Sequence, residues 1–370
     1  MAKPRCYRHH VGMSTRPAPD AALIEALRLE LRDFVKVTEH RAPLYARLAE
    51  GIAEADEVLA ILAEAPVTSR LPVTLFAAIH YLLLAAPNEA LAAWYPNLGE
   101  PRSGDPVPAL RELCQRRRSE LVELVRTRVP QTNEIGRSAP LLVGLAAVGE
   151  EMGPLAHLDV GASAGLNLIT DRLSYDYGGH LLGTAAITLK CALRGPARPD
   201  RLPARIPLIS SRLGLDANPV DLADLDQVRW LEACVWPDQA DRFQRLQLAL
   251  AEVVRAKVEV RAGDAVGGLA EAVAALGDGH PVLTTSWVLN YLGTDGQRAF
   301  LNAADELGGR ADLSLITYEA PNLTPGLDWP EQLVGEELSV LRLFRWRDGK
   351  RSDTALAKGH PHGYWLTWLG

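Results

Sequence analysis

"HLDVGASAGLNLITD", residues 157–171, is the stretch whose reading decides the fold. Together with the residues before it, "PLAHLDV" forms a short apolar run that delivers a carboxylate, Asp159, near its end. Gly161, Ser163 and Gly165 follow, alternating with Ala162 and Ala164, and bulky side chains resume at Leu166. A short apolar run, a set of small residues and a renewed apolar pattern spell strand, tight turn and helix. With no Cβ in the way, such a turn brings backbone N–H groups and a helix N-terminus against a ligand.

Three kinds of enzyme use a turn of this shape, and the spacing separates them. A dinucleotide fingerprint needs G-x-G-x-x-G; Gly161 fits, but Ser163 and Leu166 stand where the second and third glycines belong. A hydrolase nucleophile elbow needs G-x-S-x-G, and Gly161, Ser163 and Gly165 match it. The class I methyltransferase loop resembles acidic-x-G-x-G-x-G; Asp159, Gly161 and Gly165 fit it, with Ser163 at the middle glycine. The alternative without a ligand is a Gly/Ala turn packed between a strand and a helix. One loop does not decide among these, so the rest of the chain must.

The 370 residues are long for one core and comfortable for two domains. Apolar and charged fractions of 48% and 23% are those of a globular protein. The net charge of −7, with no long basic block, argues against a nucleic-acid partner. Cys6, Cys114, Cys191 and Cys234 form no C-x-x-C pair, so neither a disulfide framework nor a zinc site follows. The start, "MAKPRCYRHHVGMSTRP", is basic without an apolar core, so no signal peptide is expected. The most apolar run, 71–86, is shorter than the roughly 20 residues that span a bilayer and carries His80. A cytoplasmic protein with no membrane partner is the expectation; the sequence gives no oligomeric state.

Residues 1–19 read as a mobile or loosely docked arm. Leu23, Leu27, Leu31 and Phe34 then recur at helical spacing behind Asp20 as cap. Further helices follow Pro43, precede Pro66 and Pro87, and fill "PALRELCQRRRSELVELVRTR", whose Leu110, Leu113, Leu121 and Leu124 point inward. The Arg116–Arg117–Arg118 run is a solvated face, with phosphate contact as the sharper alternative. Residues 1–130 are thus expected to form an all-helical N-terminal domain, and 131–370 an α/β domain with an inserted arm at about 172–206. In "QTNEIGR" polar residues crowd before an apolar helix, Thr132 or Asn133 as cap and Glu134 in the first turn, or else lining a site.

After 170 the pattern alternates strand and helix. "LGLDANPVD", "KVEVRAGDA", "PVLTTSWVLNYLG" and "DLSLITYEAP" end successive strands, Pro237 and Asp238 open a helix, and 339–368 offers a terminal hairpin of two strands. Alternation implies a doubly wound, mostly parallel sheet of seven strands with ligands at its carboxyl ends. There lie Asp159 with the glycine turn, then Asp216, Asp264, Ser286 and Glu319.

That series resembles class I S-adenosylmethionine-dependent methyltransferases, down to the terminal hairpin, and the resemblance implies a methyltransferase-like Rossmann fold. It implies the first loop, Asp159, Gly161, Ala162, Ser163, Gly165 and Asn167, against the methionine part of the cofactor. It implies Asp216 on the ribose hydroxyls and Asp264 on the adenine amino group, with Ser286 also at the cofactor. A ribose diol donates two hydrogen bonds, which an ionised carboxylate accepts.

As a whole the chain is similar to a bacterial family, the domain of unknown function 2332, through "VPQTNEIGR", "LDVGASAGLNLITDRLSYDYG", "GLDANPVD", "RWLEACVWPDQADRFQRL", "AGDA" and "TTSWVLNYL". This resemblance supplies a methyltransferase-like fold and no substrate. Two departures stand out. Ser163 puts a side chain where the cofactor passes. Gly165 to Asp216 is 216 − 165 = 51 positions, against about 20 in a nucleotide-binding sheet, so the arm must be an excursion.

The function expected is methyl transfer from S-adenosylmethionine to a small-molecule acceptor. It would approach over the fourth strand, near Ser286, Trp287 and Tyr291. Asn133 and Glu134 are the candidates facing it, Glu134 as general base and Tyr291 beside them. The alternatives are a catalytically silent relative that binds a nucleotide or scaffolds, and a serine hydrolase. The latter would use Ser163, an acid from Asp216, Asp264 or Asp295, and His360 or His362. No metal site is expected: His9–His10 and His360–His362 lack a supporting carboxylate spacing.

Overall fold

The computed structural model describes residues 20–131, 133–196 and 198–369. The expected N-terminal arm, His9–His10, Cys6 and the capping role of Thr132 lie outside the described residues. The chain divides into two compact units. One comprises the residues through Pro130 and, in addition, Trp236–Gln239; the other is Gln131–Val235 with Ala240–Gly370.

The first unit is helical: α1 (Ala21–Thr38), α2 (Pro43–Ala53), α3 (Asp56–Leu62), α4 (Pro72–Ala85), α5 (Val107–Arg116) and α6 (Arg118–Thr127). Asp20 caps α1 by accepting the Ala22 N–H at 3.1 Å. α4 is buried nearly all round. The single helix expected over 108–128 is broken at Arg117, whose backbone (φ −105°, ψ 22°) leaves helical geometry. The arginine run there is engaged: Arg116 and Arg117 both pair with Glu89, and Arg118 donates to the Glu57 carbonyl. Asp238 does not open the helix after it. Its carboxylate accepts the Leu44 N–H at 3.0 Å, and the Trp236 ring lies 5.7 Å from Phe34 and 6.0 Å from Tyr45. The 236–239 excursion is thereby part of the helical unit.

The second unit is mixed α/β. In chain order it runs α7 (Ser138–Met152), β1 (Leu155–Val160), β2 (Ser174–Asp176), β3 (Leu181–Leu182), β4 (Thr188–Lys190), β5 (Ala192–Arg194) and β6 (Ile209–Asp216). Then come α8 (Leu225–Ala233), α9 (Ala240–Arg255), β7 (Val260–Ala262), α10 (Leu269–Ala274), β8 (His280–Ser286), α11 (Gly293–Gly308) and β9 (Leu313–Glu319). β10 (Ser339–Arg347), β11 (Lys350–Gly359) and β12 (Trp365–Trp368) close the chain. The large sheet has nine strands in the order β5-β12-β11-β10-β9-β8-β1-β6-β7, not the seven expected. β7, β6, β1, β8 and β9 are mutually parallel, and β10 and β11 follow antiparallel. Two strands beyond the seven expected complete the sheet. Residues 339–368 make three strands, because the Pro361–Gly363 turn sends β12 back along β11, and β5 leaves the arm to pair parallel with β12. The rest of the arm forms its own sheet, β3-β2-β4.

Helices cover both faces of the large sheet. On one, Phe300, Leu301 and Ala304 of α11 and Leu269 of α10 bury Leu158, Leu283, Leu315, Phe344 and Trp346, each large side chain contributing roughly 2–3 kcal/mol. On the other, α7 approaches so closely that a Cβ on Gly144 would lie 2.9 Å from Ile316 Cγ2.

The tightest fit is at the end of α11, where a Cβ on Gly308 would come 2.0 Å from Trp346 Cγ. The indole cannot step aside, since its Nε1 donates to Asp305 Oδ1 at 2.9 Å and the ring stacks on Phe344. Gly308→Ala gains at most about 1 kcal/mol of helix propensity, against overpacking that costs about 1–3 kcal/mol or more. The expected result is a lowered urea midpoint; an unchanged midpoint would show that the indole has room to move.

Candidate functional site

Because the parallel strands are in register, their carboxyl ends share one edge. Asp159 lies beside Gly214 on one side and Thr284 on the other, Asp216 beside Ala262, and Ser286 beside Tyr318. The strand order also reverses there: the chain moves outward from β1 through β6 to β7, then returns to β8 on the opposite flank of β1.

Gly161 (φ 77°), Ser163 (φ 51°) and Gly165 (φ 78°) all take the left-handed conformation the turn requires. Beyond the turn, Leu166–Arg172 form only 3-10 turns instead of the expected helix, with Ile169 out of helical geometry. Their carbonyls are claimed by side chains: Asn167 O by Thr170 Oγ1, Leu168 O by Arg212 and Thr170 O by the Tyr175 hydroxyl. Arg212 also grips both oxygens of Asp171. With those acceptors occupied no α-helix propagates, and no helix N-terminus faces the turn.

The turn's own N–H groups point into the protein as well. Gly161 and Ala162 donate to Leu215 O, Gly165 donates to Ala162 O, and Ser163 N donates to Asp216 Oδ2 at 2.7 Å. A Cβ on Gly161 would lie 2.2 Å from Val288 Cγ2, so this glycine is required by packing against Val288. Asp216 is half-buried and also accepts the Asn218 N–H at 2.8 Å. Asp264 is exposed; its Oδ1 accepts from Val266 N and Gly267 N, which hold its pKa below the ordinary value, while Oδ2 stays open.

Asp159 does not face solvent. It is buried, accepts the Thr284 hydroxyl at 2.7 Å and is steadied by Asn167, whose Oδ1 in turn accepts from Ser138. Burial, outweighing the Thr284 bond, pushes its pKa up to about 7. His157 Nε2 lies 2.8 Å from the same Thr284 oxygen, and burial pushes its pKa down to about 3. With the Thr284 proton directed at the Asp159 carboxylate, the neutral imidazole donates from Nε2. Glu319, at the end of β9, is buried and accepts the Val288 and Leu289 N–H groups. Burial raises its pKa to about 7.

The expected acceptor residues are placed differently. Glu134 is buried, and its contacts lie elsewhere than the glycine turn. Its Oε1 caps Gly136 N at 2.9 Å, and its Oε2 lies 2.5 Å from Arg242 Nε and 3.6 Å from His362 Nδ1. Asn133 carries a buried Nδ2 without a partner among the described residues. From the same segment it is Gln131 that reaches the turn, its Oε1 accepting the Ser163 hydroxyl at 2.9 Å. Tyr291 stands 78% exposed. Ser286 is buried; its carbonyl accepts from Arg137 while its hydroxyl has no partner among the described residues.

The sequence reading gave Arg242 no role, held Arg137 only as one of the polar residues of a segment that could line a site, and held His360 or His362 only as a hydrolase histidine. Arg137 is buried, donates to Pro361 O and Ser286 O, and sits over the Trp287 ring at 5.7 Å. Burial lowers its pKa to about 10. Trp287 itself takes φ 58°, strain that a bulky residue adopts only where its surroundings enforce it. The signal for Arg137 was present in "NEIGR", but nothing in the sequence joins it to Pro361, 224 positions away.

The raised pKa of Asp159 has a measurable sign. The folded protein holds a proton there that the unfolded chain releases above its ordinary value of 3.8. The resulting stability is complete below that value and is lost as pH rises through about 7. Asp159→Asn keeps an acceptor for Thr284 and removes this dependence. Between about pH 5 and about pH 8 the wild type is expected to lose roughly 2–3 kcal/mol relative to the variant. Denaturant midpoints across that range check it, and parallel pH profiles would count against a protonated Asp159.

A family model described as "Uncharacterized protein conserved in bacteria (DUF2332)" matches residues 28–368, which include most of the first unit and nearly all of the second. No curated protein matches the chain significantly. The match is to the whole arrangement, helical unit, arm and sheet together, and the chain belongs to this DUF2332 family of bacterial proteins.

Proposed function

We propose that the chain is an S-adenosylmethionine-dependent methyltransferase acting on a small molecule. The observation that carries this reading is the strand order. The parallel order β7-β6-β1-β8-β9, with the chain turning back at β1, supports reading the unit as a doubly wound, Rossmann-like domain. Such domains bind ligands at the reversal, outside the carboxyl ends of the strands. Asp216 ends β6 and Asp264 follows β7, the two strands on one flank of that point.

The residues there fit the cofactor through their acids rather than through the turn. Each Asp216 oxygen spends one lone pair on a backbone N–H and keeps another for a ribose hydroxyl. Asp264 Oδ2 is open to an adenine amino group. When bound, S-adenosylmethionine supplies its own electrophilic methyl group, so the protein has to hold and orient the acceptor. We assign that task to Ser286, whose buried hydroxyl has no partner among the described residues, and to Arg137 beside it. Glu134 is committed to Arg242 and is not assigned the base.

A second reading, a catalytically silent relative that holds a nucleotide or scaffolds, is favoured by one observation. Val288 packs on Gly161, and the turn's N–H groups are spent on β6 and on the turn itself. The hydrolase reading loses support: the Ser163 hydroxyl donates to the Gln131 amide oxygen and, among the described residues, has no histidine to take its proton.

A ligand at 100 times its dissociation constant stabilises the native state by about 2.7 kcal/mol. Melting curves with S-adenosylmethionine and S-adenosylhomocysteine are expected to shift upward in the wild type and not in Asp216→Ala. No shift at saturating concentration, with no heat of binding, leaves the silent relative. Separately, Ser163 should not label with a fluorophosphonate. Ser163→Gly should stay within about 1 kcal/mol of wild type, since relief of the left-handed backbone offsets the lost hydroxyl bond. Labelling that vanishes in that variant would restore the hydrolase.

A further inference from the structure

The arm and α9 enclose a cleft of about 520 Å³ in the second unit, away from the glycine turn. This volume is in the range of small-molecule sites. One wall is strand-like: Ala186, Thr188 and Lys190 are exposed while Ile187 and Leu189 are buried, the alternation of a half-buried strand. The other wall is one face of α9, where Asp241, Gln244, Arg245 and Leu248 recur at spacings of three and four. Tyr364, from the turn between β11 and β12, closes the end.

The chemistry of this lining is specific. The Tyr364 ring is stacked on His360, with centroids 4.7 Å apart and planes at 24°, and remains 37% exposed. The His360 ring is oriented by the His362 N–H, which donates to its Nδ1 at 3.1 Å. Tyr364, held by this stacking, thus lines the cleft as an aromatic surface. Two cations, Lys190 and Arg245, line the same space, Arg245 also hydrogen-bonded to the Tyr364 hydroxyl, against the carboxylate of Asp241. Leu248, 47% exposed, adds an apolar contact opposite the strand wall. Platform, apolar contact and a net positive rim call for a flat molecule with an anionic group.

We propose that this cleft binds a small aromatic molecule carrying a carboxylate or a phosphate, its ring on Tyr364 and its anion between Lys190 and Arg245. The site gives the 172–206 arm a role, one wall of a ligand pocket. It stands independently of the methyl-transfer reading, because no residue of the cleft belongs to the proposed cofactor site.

Calorimetric titration of the full chain with benzoate, phenyl phosphate, benzylamine and inorganic phosphate tests it. Benzoate or phenyl phosphate is expected to bind, the stronger of the two identifying the anion, and benzylamine is not. Lys190→Gln, at an exposed position that folding does not depend on, should weaken binding about tenfold, as should Tyr364→Leu. Melting curves of both variants without ligand verify that they fold. Four results would overturn the proposal: no binding of either aromatic acid at millimolar concentration; equal binding of benzylamine; inorganic phosphate binding as tightly as phenyl phosphate; or undiminished affinity in Lys190→Gln.

Discussion

β1 is hydrogen-bonded to β6 and β8 and is buried along its whole length, yet it carries His157 and Asp159. A strand in that position cannot leave polar groups unpaired without a cost of about 1–3 kcal/mol each. Thr284, directly opposite Asp159 on β8, gives each a partner with one hydroxyl, accepting from His157 Nε2 and donating to Asp159, and leaves only His157 Nδ1 of these groups without a partner among the described residues. This small chain fixes the register of the two central strands: a slip of one residue would turn both side chains to the opposite face. The parallel edge that assembles Asp216, Asp264, Ser286 and Glu319 follows from that register.

The same economy governs the turn after β1. Its left-handed residues bring it close to β6, and its N–H groups find partners there, with Asp216 taking the Ser163 N–H. The loop's N–H groups are thereby largely satisfied within the protein. The acids after β6 and β7 lie on one flank, and Ser286, Trp287 and Arg137 on the other. Arg137 joins the end of β8 to the 360–364 turn by donating to a carbonyl on each. The antiparallel end of the sheet thus contributes to the same edge as the parallel part.

Much of the fold was legible because periodicity reports burial. The Asp20 cap, the buried helix at 72–85 and the alternation of strand and helix after 155 all follow from local pattern. The misread elements were decided by partners distant in sequence. Leu166–Arg172 has helix-compatible residues, but Arg212 and Tyr175 take the carbonyls a helix would use. β5 is three residues long and becomes a strand only because β12 offers an edge. Asp238 looks like a cap for the helix after it and instead serves α2.

The sequence by itself determined the family, the helical first half, the mixed α/β second half and the acids at the strand ends, since these depend on residue type and short-range spacing. Tertiary structure alone decided which of those groups are available to a ligand. Asp159 and Asp216 are both aspartates after apolar strands, yet one is sealed beneath Thr284 and the other is half-exposed. Glu134 and Gln131 stand three positions apart, yet the first is bound to Arg242 and the second to Ser163. Burial and hydrogen-bond partnership are properties of the packed chain, and they, rather than residue identity, set which side chains remain free to act.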